Sequence, residues 1–407
     1  MKKLLIVSQY FWPEEFRINE LATELCEENL EIKVLTQIPS YPSAKIFKGR
    51  RYRFKEQFKK ITIYRIPTLS RGNSKIGIFF NYLSYILFSL PSLLYLKSKR
   101  FDFLIVFQPS PVTVGLWPAI IFNSKKMKKI IWILDLWPDT FYSVLNSKIK
   151  FLDGLVNSLS KFIYQRYDNL LVQTNGFKKR LKEMQIEESC IKYFPNFSEE
   201  IFSNALLKKS SIKFRVDEIF STIPDGFNIL FAGNLGFSQD IFSVLKAAEL
   251  THNNGKINWI FLGAGRAENS LKEYLNKRDL DNVYFLGRYD IEWMPYFFNK
   301  ADTMLVSLSD EKVFSMTIPG KIPSYMACSK PILGMLNGEG KDLIETSNCG
   351  LCSYAGDFKS LAKNASLMAN LKSDELDIYS NNSLKFYNEH LSKNHAIKII
   401  KDLFEDE

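Results

Sequence analysis

Short apolar runs separated by polar turns alternate with helical patterns along the first half of the chain. The runs predict buried strands at Leu4–Val7, Glu31–Leu35, Ile61–Ile66, Phe103–Phe107, Ile130–Leu134 and Leu170–Val172. Between them lie helical patterns such as Phe16–Glu28, in which Leu21 and Leu25 fall on one face. Strands that alternate with helices predict a parallel sheet with helices on both of its faces.

A second series of the same kind follows a break at Phe194–Ser198, after which residues 199–225 are polar and irregular. It predicts strands at Ile229–Phe231, Trp259–Leu262, Val283–Leu286, Thr303–Val306 and Ile332–Met335. The predicted fold class is therefore α/β, with two tandem Rossmann-like doubly wound domains that face each other across a cleft. We place these domains at residues 1–197 and 226–383, a linker at 198–225 and closing helices at 384–407.

The segment Ile76–Leu96 contains no charged residue and is long enough to span a bilayer. However, Asn81, Ser84 and Pro91 interrupt it, and the run that follows, 101–107, predicts another buried strand of the same domain. We therefore expect a buried or membrane-grazing helix.

Charge is distributed unevenly over the 407 residues. Residues 1–200 carry 31 basic and 18 acidic residues, whereas residues 201–407 carry 23 and 26. The densest basic run faces a single acid, Glu56, and consists of Lys45, Lys48, Arg50, Arg51, Arg53, Lys55, Lys59, Lys60 and Arg65. Such a run is typical either of a solvated surface or of contact with an anionic membrane. No zinc-finger, RNA-binding or basic-zipper pattern accompanies it, which disfavours nucleic acid.

The cysteines and the first residues indicate a cytoplasmic protein without a structural metal. Five cysteines in so long a chain do not form a disulfide framework. Cys349 and Cys352 form a lone C-x-x-C that has neither a second pair nor a nearby histidine, so they do not complete a zinc site. The first apolar run stops at Val7 and is soon followed by Glu14, which favours a strand over a secretory signal.

Two glycine turns follow strands of the second series. The first is Gly233-Asn234-Leu235-Gly236 and the second is Gly263-Ala264-Gly265-Arg266. Glycine lets the backbone approach a ligand, and amides at a helix start bind phosphate oxygens. Neither turn completes a G-x-G-x-x-G pattern, so dinucleotide binding is only weakly indicated. Each turn alone is typical of an ordinary connection, and together they suggest a nucleotide diphosphate.

Two further helix starts could contribute to an anion site. Lys321 begins a helix directly after Gly320, where it can add a point charge to the amide dipoles. Gly338 and Gly340 precede the helical pattern 341–346 and can form an amide nest. The alternative for each is ordinary helix capping.

Polar residues also follow two strands of the first series, amid aromatic residues. Glu14 lies in the loop after the first strand and Asp135 directly follows the strand that ends at Leu134. A carboxylate there could take a proton from a hydroxyl, and we single out Asp135 and Glu14; the alternative is that Asp135 caps a turn and Glu14 starts a helix. The candidates for acceptor binding are Trp12, Arg17 and Asp139. The histidines lie far from these loops in sequence, at His252, His390 and His395.

Together these motifs are similar to those of family four glycosyltransferases of the GT-B fold, and within that family to the bacterial N-acetyl-L-fucosamine transferases of O-antigen and capsule synthesis. The resemblance covers nearly the whole chain. Its motifs are Gln9–Glu14 with Arg17, Ile38–Pro42, Asp135–Asp139, Gly233–Gly236 with Gln239, Gly263 with Gly265, Pro319–Lys321, Tyr325–Ala327 and Lys330–Ile332.

The resemblance implies a UDP-sugar donor on the second domain and an undecaprenyl-diphosphate-linked saccharide acceptor on the first. The cationic half would rest peripherally on the inner, cytoplasmic face of the plasma membrane. It also implies no metal and no cofactor, because cations and helix amides stabilise the leaving diphosphate in this fold. The implied donor residues are Gly233, Asn234, Gly236, Gln239, Gly263, Gly265, Arg288, Lys321, Gly338 and Gly340.

Three departures from the family pattern keep alternatives open. Met316 and Ser324 stand where the family has two glutamates, Asn234 and Gln239 replace a basic pair, and Leu134 replaces a histidine. A non-catalytic member of a membrane assembly would fit the missing glutamates. A non-hydrolysing UDP-sugar epimerase would share the two-domain shell, but the scarcity of histidines disfavours it.

Overall fold

The chain forms two compact units in a computed structural model. One unit comprises Met1–Pro195 with Ile397–Glu407, and the other comprises Asn196–Ala396. The structure describes residues 1–28, 30–41, 44–47, 49, 51–71, 74–124, 126–141, 150–203, 210–252, 257–278 and 280–405. Three residues of the sequence motifs and the basic run, Pro42, Lys48 and Arg50, lie outside this set.

The first unit is built on an eight-stranded sheet of order β3-β4-β2-β1-β5-β6-β7-β8. Its strands are β1 Lys3–Ser8, β2 Glu31–Gln37, β3 Lys55–Phe58, β4 Ile61–Ile66, β5 Phe103–Gln108, β6 Lys128–Ile133, β7 Asn169–Val172 and β8 Ile191–Tyr193. Neighbouring strands are parallel except β3, which runs antiparallel to β4. Leu4–Val7 are fully buried, which requires cover on both faces of the sheet.

The helices of the first unit include Arg17–Glu27, whose buried face contains Leu21 and Leu25 as the sequence pattern predicts. The others are Lys75–Lys97, Leu116–Ile121, Lys150–Tyr164, Asn175–Glu183 and the end of Lys393–Glu405. The end of the chain returns to this unit because the Phe404 ring stacks on Phe103, with 3.9 Å between ring centroids. The predicted closing segment 384–407 is thus divided between the two units.

The second unit has a wholly parallel six-stranded sheet of order β11-β10-β9-β12-β13-β14. Its strands are β9 Phe227–Ala232, β10 Ile257–Leu262, β11 Val283–Gly287, β12 Thr303–Ser307, β13 Ile332–Met335 and β14 Gly350–Ser353. Successive side chains of β9 enter different cores, since Leu230 belongs to one buried cluster whereas Ile229 and Phe231 belong to another. This alternation is what a sheet covered on both faces requires.

The helices of the second unit include two in the segment that we expected to be an irregular linker, Glu200–Ser203 and Ser210–Phe220. They are Glu200–Ser203, Ser210–Phe220, Ile241–Thr251, Glu268–Asn276, Met294–Lys300, Lys312–Ser315, Lys321–Ala327, Glu339–Thr346, Phe358–Ala369 and Ser373–Phe386. The prediction of a linker at 198–225 is wrong over Ser210–Phe220, because Ile212 and Val216 are buried in the core of this unit. Residues 204–209 lie outside the described set.

The order of strands reverses once in each sheet, between β1 and β5 and between β9 and β12. In open parallel sheets, ligands bind beyond the carboxyl ends of the strands at such a reversal. The loops that follow β1, β5, β9 and β12 are therefore the places at which to look for a site.

Candidate active site

Asp135 follows β6, next to the strand reversal of the first unit. Gln108 at the end of β5 donates through Nε2 to the Asp135 carbonyl oxygen at 2.8 Å, which fixes the loop. The Ser110 hydroxyl accepts a hydrogen bond from Trp137 Nε1 at 3.1 Å, so its own proton is available to the Asp135 carboxylate. Burial raises the pKa of Asp135 to about 7. A carboxylate with such a pKa suits proton transfer near neutral pH.

The Glu14 carboxylate is directed into its own loop and is only 1% exposed. One of its oxygens accepts from the backbone amides of Ser40 and Tyr41, at 2.8 and 2.7 Å, and the other accepts from Phe11 N at 3.3 Å. Burial raises the pKa of Glu14 to about 7 despite these three amides. The geometry corrects the hypothesis that Glu14 takes a proton from the substrate: Glu14 joins the loop after β1 to the loop after β2.

The three candidates for acceptor binding have mainly structural surroundings. The Trp12 ring stacks on Phe58, with 4.5 Å between centroids, and Asp139 pairs with Arg180 at 2.8 Å. Arg17 opens the helix Arg17–Glu27. Trp12 also lines an open groove of about 550 Å³ with Arg51, Arg53, Lys55, Glu56 and Gln57.

Four residues that were not among the site candidates form a cluster next to Asp135: Ser110, Arg71, Tyr82 and Tyr10. Arg71 donates through Nη1 to the Tyr10 hydroxyl at 2.9 Å. The Tyr82 hydroxyl is in hydrogen-bonding contact with Tyr10 and Ser110, and the charge of Arg71 lowers the pKa of Asp135 against the larger effect of burial. Arg71 and Tyr10 are 61 positions apart, so no local pattern could have brought them together.

In the second unit, the two glycine turns pack against each other through their backbones. Gly233 and Gly263 have φ of +144° and +142°, a conformation that favours glycine. A Cβ at Gly263 would lie 1.8 Å from the Gly233 carbonyl oxygen, and a Cβ at Gly265 would lie 2.3 Å from that of Leu235. Gly263 and Gly265 are therefore needed for the two turns to pack against each other. Gly233 itself is exposed at the end of β9.

Lys321 places an ammonium group over the first of these turns. Its Nζ donates to Gln239 Oε1 at 2.8 Å and lies 3.7 Å from the centre of the Phe231 ring. A Cβ built on Gly233 would lie 3.2 Å from this Nζ. Burial lowers the pKa of Lys321 to about 7, because the surrounding protein disfavours the charged form. A dianionic ligand at the turn would restore that charge.

Two hydrogen-bonded clamps hold the turn in place. The Tyr325 hydroxyl donates to the Ala232 carbonyl oxygen and accepts from the Ala232 amide, both at 3.2 Å. Ser307 at the end of β12 donates through Oγ to the Gln239 carbonyl oxygen at 2.6 Å. The ends of β9 and β12 and the helix that begins at Lys321 thus meet at one point. These contacts prearrange the site before any ligand binds.

The remaining donor candidates lie at neighbouring strands. Arg288 is exposed after β11, which is separated from β9 by β10. Gly338, with φ of +64°, precedes the helix Glu339–Thr346 after β13, and a Cβ there would lie 2.0 Å from the Ser315 carbonyl oxygen. Ser324, which stands where the family has a glutamate, is buried within the helix Lys321–Ala327. Because it is a serine, this position supplies no carboxylate to the site.

Within the described part of the chain, no group of three or more His, Cys, Asp or Glu side chains is arranged to hold a metal ion. His252 lies 3.1 Å from Asp281, which precedes β11 at the amino end of the sheet. Its imidazole is therefore at the opposite edge from the glycine turns.

Comparison with solved structures confirms the GT-B fold class. The chain resembles HepE from Anabaena, solved in complex with UDP, with a TM-score of 0.70 and 12% identity over 99% of each chain. It also resembles WaaG, a glycosyltransferase involved in lipopolysaccharide biosynthesis, with a TM-score of 0.67 and 12% identity over 100% of each chain. Both comparisons support two α/β units with parallel sheets.

Residues 226–370 match the family described as glycosyl transferases group 1. Over 215 residues the chain is 26% identical to the probable glycosyltransferase WbjE of Pseudomonas aeruginosa, and the alignment covers 51% of each protein. The chain thus spans about half the length of the curated relatives that it matches. The matched segment contains both glycine turns, Lys321 and Gly338, so the similarity to group 1 glycosyl transferases includes the candidate donor residues of the second unit.

Proposed function

We propose that the protein is a metal-independent glycosyltransferase that moves a sugar from a UDP-sugar to a hydroxyl of a lipid-linked saccharide. The observation that carries this proposal is the Lys321 ammonium held over the Gly233 turn at the end of β9. Backbone amides and a cation at one point form a receptor for a leaving diphosphate. The group 1 family match over 226–370 and the UDP complex of HepE support the same assignment.

In the proposed reaction, the acceptor hydroxyl attacks the anomeric carbon of the donor sugar. The bond from that carbon to the diphosphate oxygen breaks, and its electron pair leaves with UDP toward Lys321 and the turn amides. The hydroxyl proton passes to the Asp135 carboxylate. Because Asp135 must be ionised to accept it, turnover should rise with pH through about 7.

The finer substrate assignment rests on the motifs and on the comparisons. The resemblance of the motifs to those of N-acetyl-L-fucosamine transferases implies an N-acetylated deoxyhexosamine as the sugar and O-antigen or capsule as the product. WaaG, which has the same fold, acts in lipopolysaccharide biosynthesis. An undecaprenyl diphosphate would then carry the acceptor saccharide.

We propose further that the helix Lys75–Lys97 lies on the cytoplasmic surface of the inner membrane. Within the described residues it is the one helix that is long and apolar enough to cross a bilayer. Its polar residues, however, are directed into the protein: Asn81 accepts from Gln9 Nε2 at 2.8 Å and donates to the Leu69 carbonyl oxygen at 2.6 Å. Large apolar side chains are directed outward, and Ile76, Phe79 and Leu87 are 61–70% exposed. A helix held on its polar side favours grazing over spanning.

Thermal denaturation with UDP, GDP and dTDP tests the donor assignment. We expect UDP to raise the melting temperature most, and UDP-sugars to be consumed only when an acceptor is present. Sugar isomerisation without an acceptor would instead establish an epimerase. Absence of protection by any nucleotide would favour a non-catalytic member of a polysaccharide assembly.

Vesicle sedimentation tests the membrane assignment. The double variant Phe79→Ser/Leu87→Ser should lose binding to vesicles that contain phosphatidylglycerol, since it removes two of the most exposed apolar side chains. The matched control is Leu367→Ser/Ile378→Ser, which removes side chains 51% and 55% exposed in the second unit. Equal binding by both double variants and the wild type would refute the assignment.

A further inference from the structure

Arg71 is held in a fixed orientation by aromatic residues at the strand reversal of the first unit. Its guanidinium carbon lies 4.9 Å from the centre of the Tyr41 ring and 5.8 Å from that of Tyr10. The Tyr10 and Tyr41 rings contact each other, with 5.3 Å between centroids, and Tyr10 also stacks on Phe16. This packing orders a side chain that would otherwise lose considerable entropy on binding a ligand.

The Arg71 guanidinium makes no direct ion pair with a carboxylate of the described residues, although its charge acts on Asp135. The Tyr10 hydroxyl accepts from the guanidinium at 2.9 Å, and within this part of the chain Arg71 takes part in no ion pair. A guanidinium has five N–H donors. Most of them therefore remain for another acceptor, and the planar group matches the oxygens of a phosphate.

The position of Arg71 links three features of the first unit. Glu14 binds the amide of Tyr41, and the Tyr41 ring in turn packs on Arg71. Arg71 lies near enough to Asp135 to affect its ionisation. Finally, Leu69 in the same connecting segment is hydrogen-bonded to the helix Lys75–Lys97 through Ser84. The segment that contains Leu69 and Arg71 thus contacts the helix Lys75–Lys97 on one side and lies close to Asp135 on the other.

We propose that Arg71, with the hydroxyls of Tyr10 and Tyr82, binds a phosphate group of the acceptor beside Asp135. The proposal rests on the proposed function and specifies its acceptor: a saccharide attached to a prenyl diphosphate, with the phosphate held at the strand reversal and the lipid toward the apolar helix. Arg71 is a binding residue here, and Glu14 and Tyr41 position it.

Calorimetric titration with farnesyl diphosphate, a short prenyl diphosphate, tests the proposal on the full chain with saturating UDP to block the second unit. Arg71→Gln should weaken binding by about 10- to 100-fold, the effect of losing charge-assisted hydrogen bonds. Arg71→Lys should lose less, because it keeps the charge without the planar donors. The control is Arg166→Gln, which removes an arginine that lies 3.4 Å over the Phe162 ring in the same unit. Farnesol, which lacks the phosphates, should bind no differently to any variant.

Equal binding of farnesyl diphosphate by Arg71→Gln, Arg71→Lys and the wild type would overturn the proposal. So would equal losses in vesicle binding and farnesyl diphosphate binding, since the site would then take bilayer headgroups. UDP protection from heat is measured on the same variants. If the wild type lacks that protection, the glycosyltransferase assignment fails whatever Arg71 does; if Arg71→Gln retains it, a weakened diphosphate titration reports the acceptor site alone.

Discussion

The carboxyl ends of the two sheets are constructed in different ways. In the second unit, the edge consists of backbone turns that glycines allow to touch, with Lys321 as a partly buried cation over Gly233. In the first unit, the edge consists of side chains from separate segments, among them Arg71 and Asp135. A backbone receptor suits a group common to many donors, such as a diphosphate, whereas side chains can change with the acceptor.

The same difference predicts how each edge tolerates substitution. A backbone turn has no spare volume, so even one methyl group displaces it. A side-chain site keeps its fold when one group is exchanged and loses only the chemistry of that group. The four predictions that follow test this contrast, beginning with the largest effect.

Asp135→Asn should lower turnover by about 100- to 10,000-fold, because the amide cannot accept the hydroxyl proton. The free energy of unfolding and the affinity for UDP should stay near their wild-type values, since Asn is nearly isosteric. Steady-state kinetics and UDP titration measure both. Asp102→Asn is the control, because Asp102 lies at the opposite edge of the same sheet and accepts from Lys3 N at 2.7 Å. Unchanged turnover in Asp135→Asn would remove Asp135 from the mechanism.

Gly263→Ala should cost about 3 kcal/mol or more of unfolding free energy and should weaken UDP binding. The new Cβ would lie 1.8 Å from the Gly233 carbonyl oxygen, and the backbone has a positive φ. Urea denaturation measures the loss. Gly154→Ala is the control: Gly154 lies in the helix Lys150–Tyr164 with open space around it, and alanine there should stabilise by about 0.5–1 kcal/mol. Equal stability of the two variants would contradict a backbone-built edge.

Lys321→Ala should weaken UDP binding by about 10- to 100-fold, because a charge-assisted contact to the diphosphate is lost. Lys272→Ala removes an exposed lysine that pairs with Glu268 at 2.9 Å, and it should bind UDP normally. Titration calorimetry compares the two variants. Wild-type affinity in Lys321→Ala would show that the turn amides suffice without a cation.

The affinity for UDP should fall between pH 7 and pH 9, by at most about tenfold per pH unit. The free protein has Lys321 with a pKa lowered to about 7, so above that pH the lysine is mostly neutral and must take up a proton to meet the diphosphate. The UDP phosphates, with a second pKa near 6, are already ionised over this range. Lys321→Ala should show a flat profile, and a sloping profile in that variant would assign the proton to another group.

The strands of both sheets were predictable where an apolar run is long and bounded by turns. The sequence did not predict β3, β8 and β14, which have only three or four residues each, and β3 lies within the basic run. One member of the basic run is not at the surface: Arg65 is buried and pairs with Glu56 at 2.6 Å. The charge of Arg65 is thus neutralised inside the first unit, which the sequence alone did not indicate.

The two sites differed in how much of each could be predicted. The glycine turns and Lys321 follow strands and open helices, so local patterns marked them. The contact between Lys321 and Gln239 and the clamp by Tyr325 depend on packing between distant segments. For Arg71 no local signal exists, because its partner Tyr10 is 61 positions away and its role follows from the topology of the sheet.

The return of the last helix to Phe103 means that the first unit is not one uninterrupted stretch of the gene. A fragment that ends at residue 195 would leave the aromatic face of Phe103 bare and would lack the Lys401 partner of Glu28. Fragment complementation follows from this: a synthetic peptide of the final helix should dock onto such a fragment and restore its solubility, and purification tags at the carboxyl terminus call for a spacer.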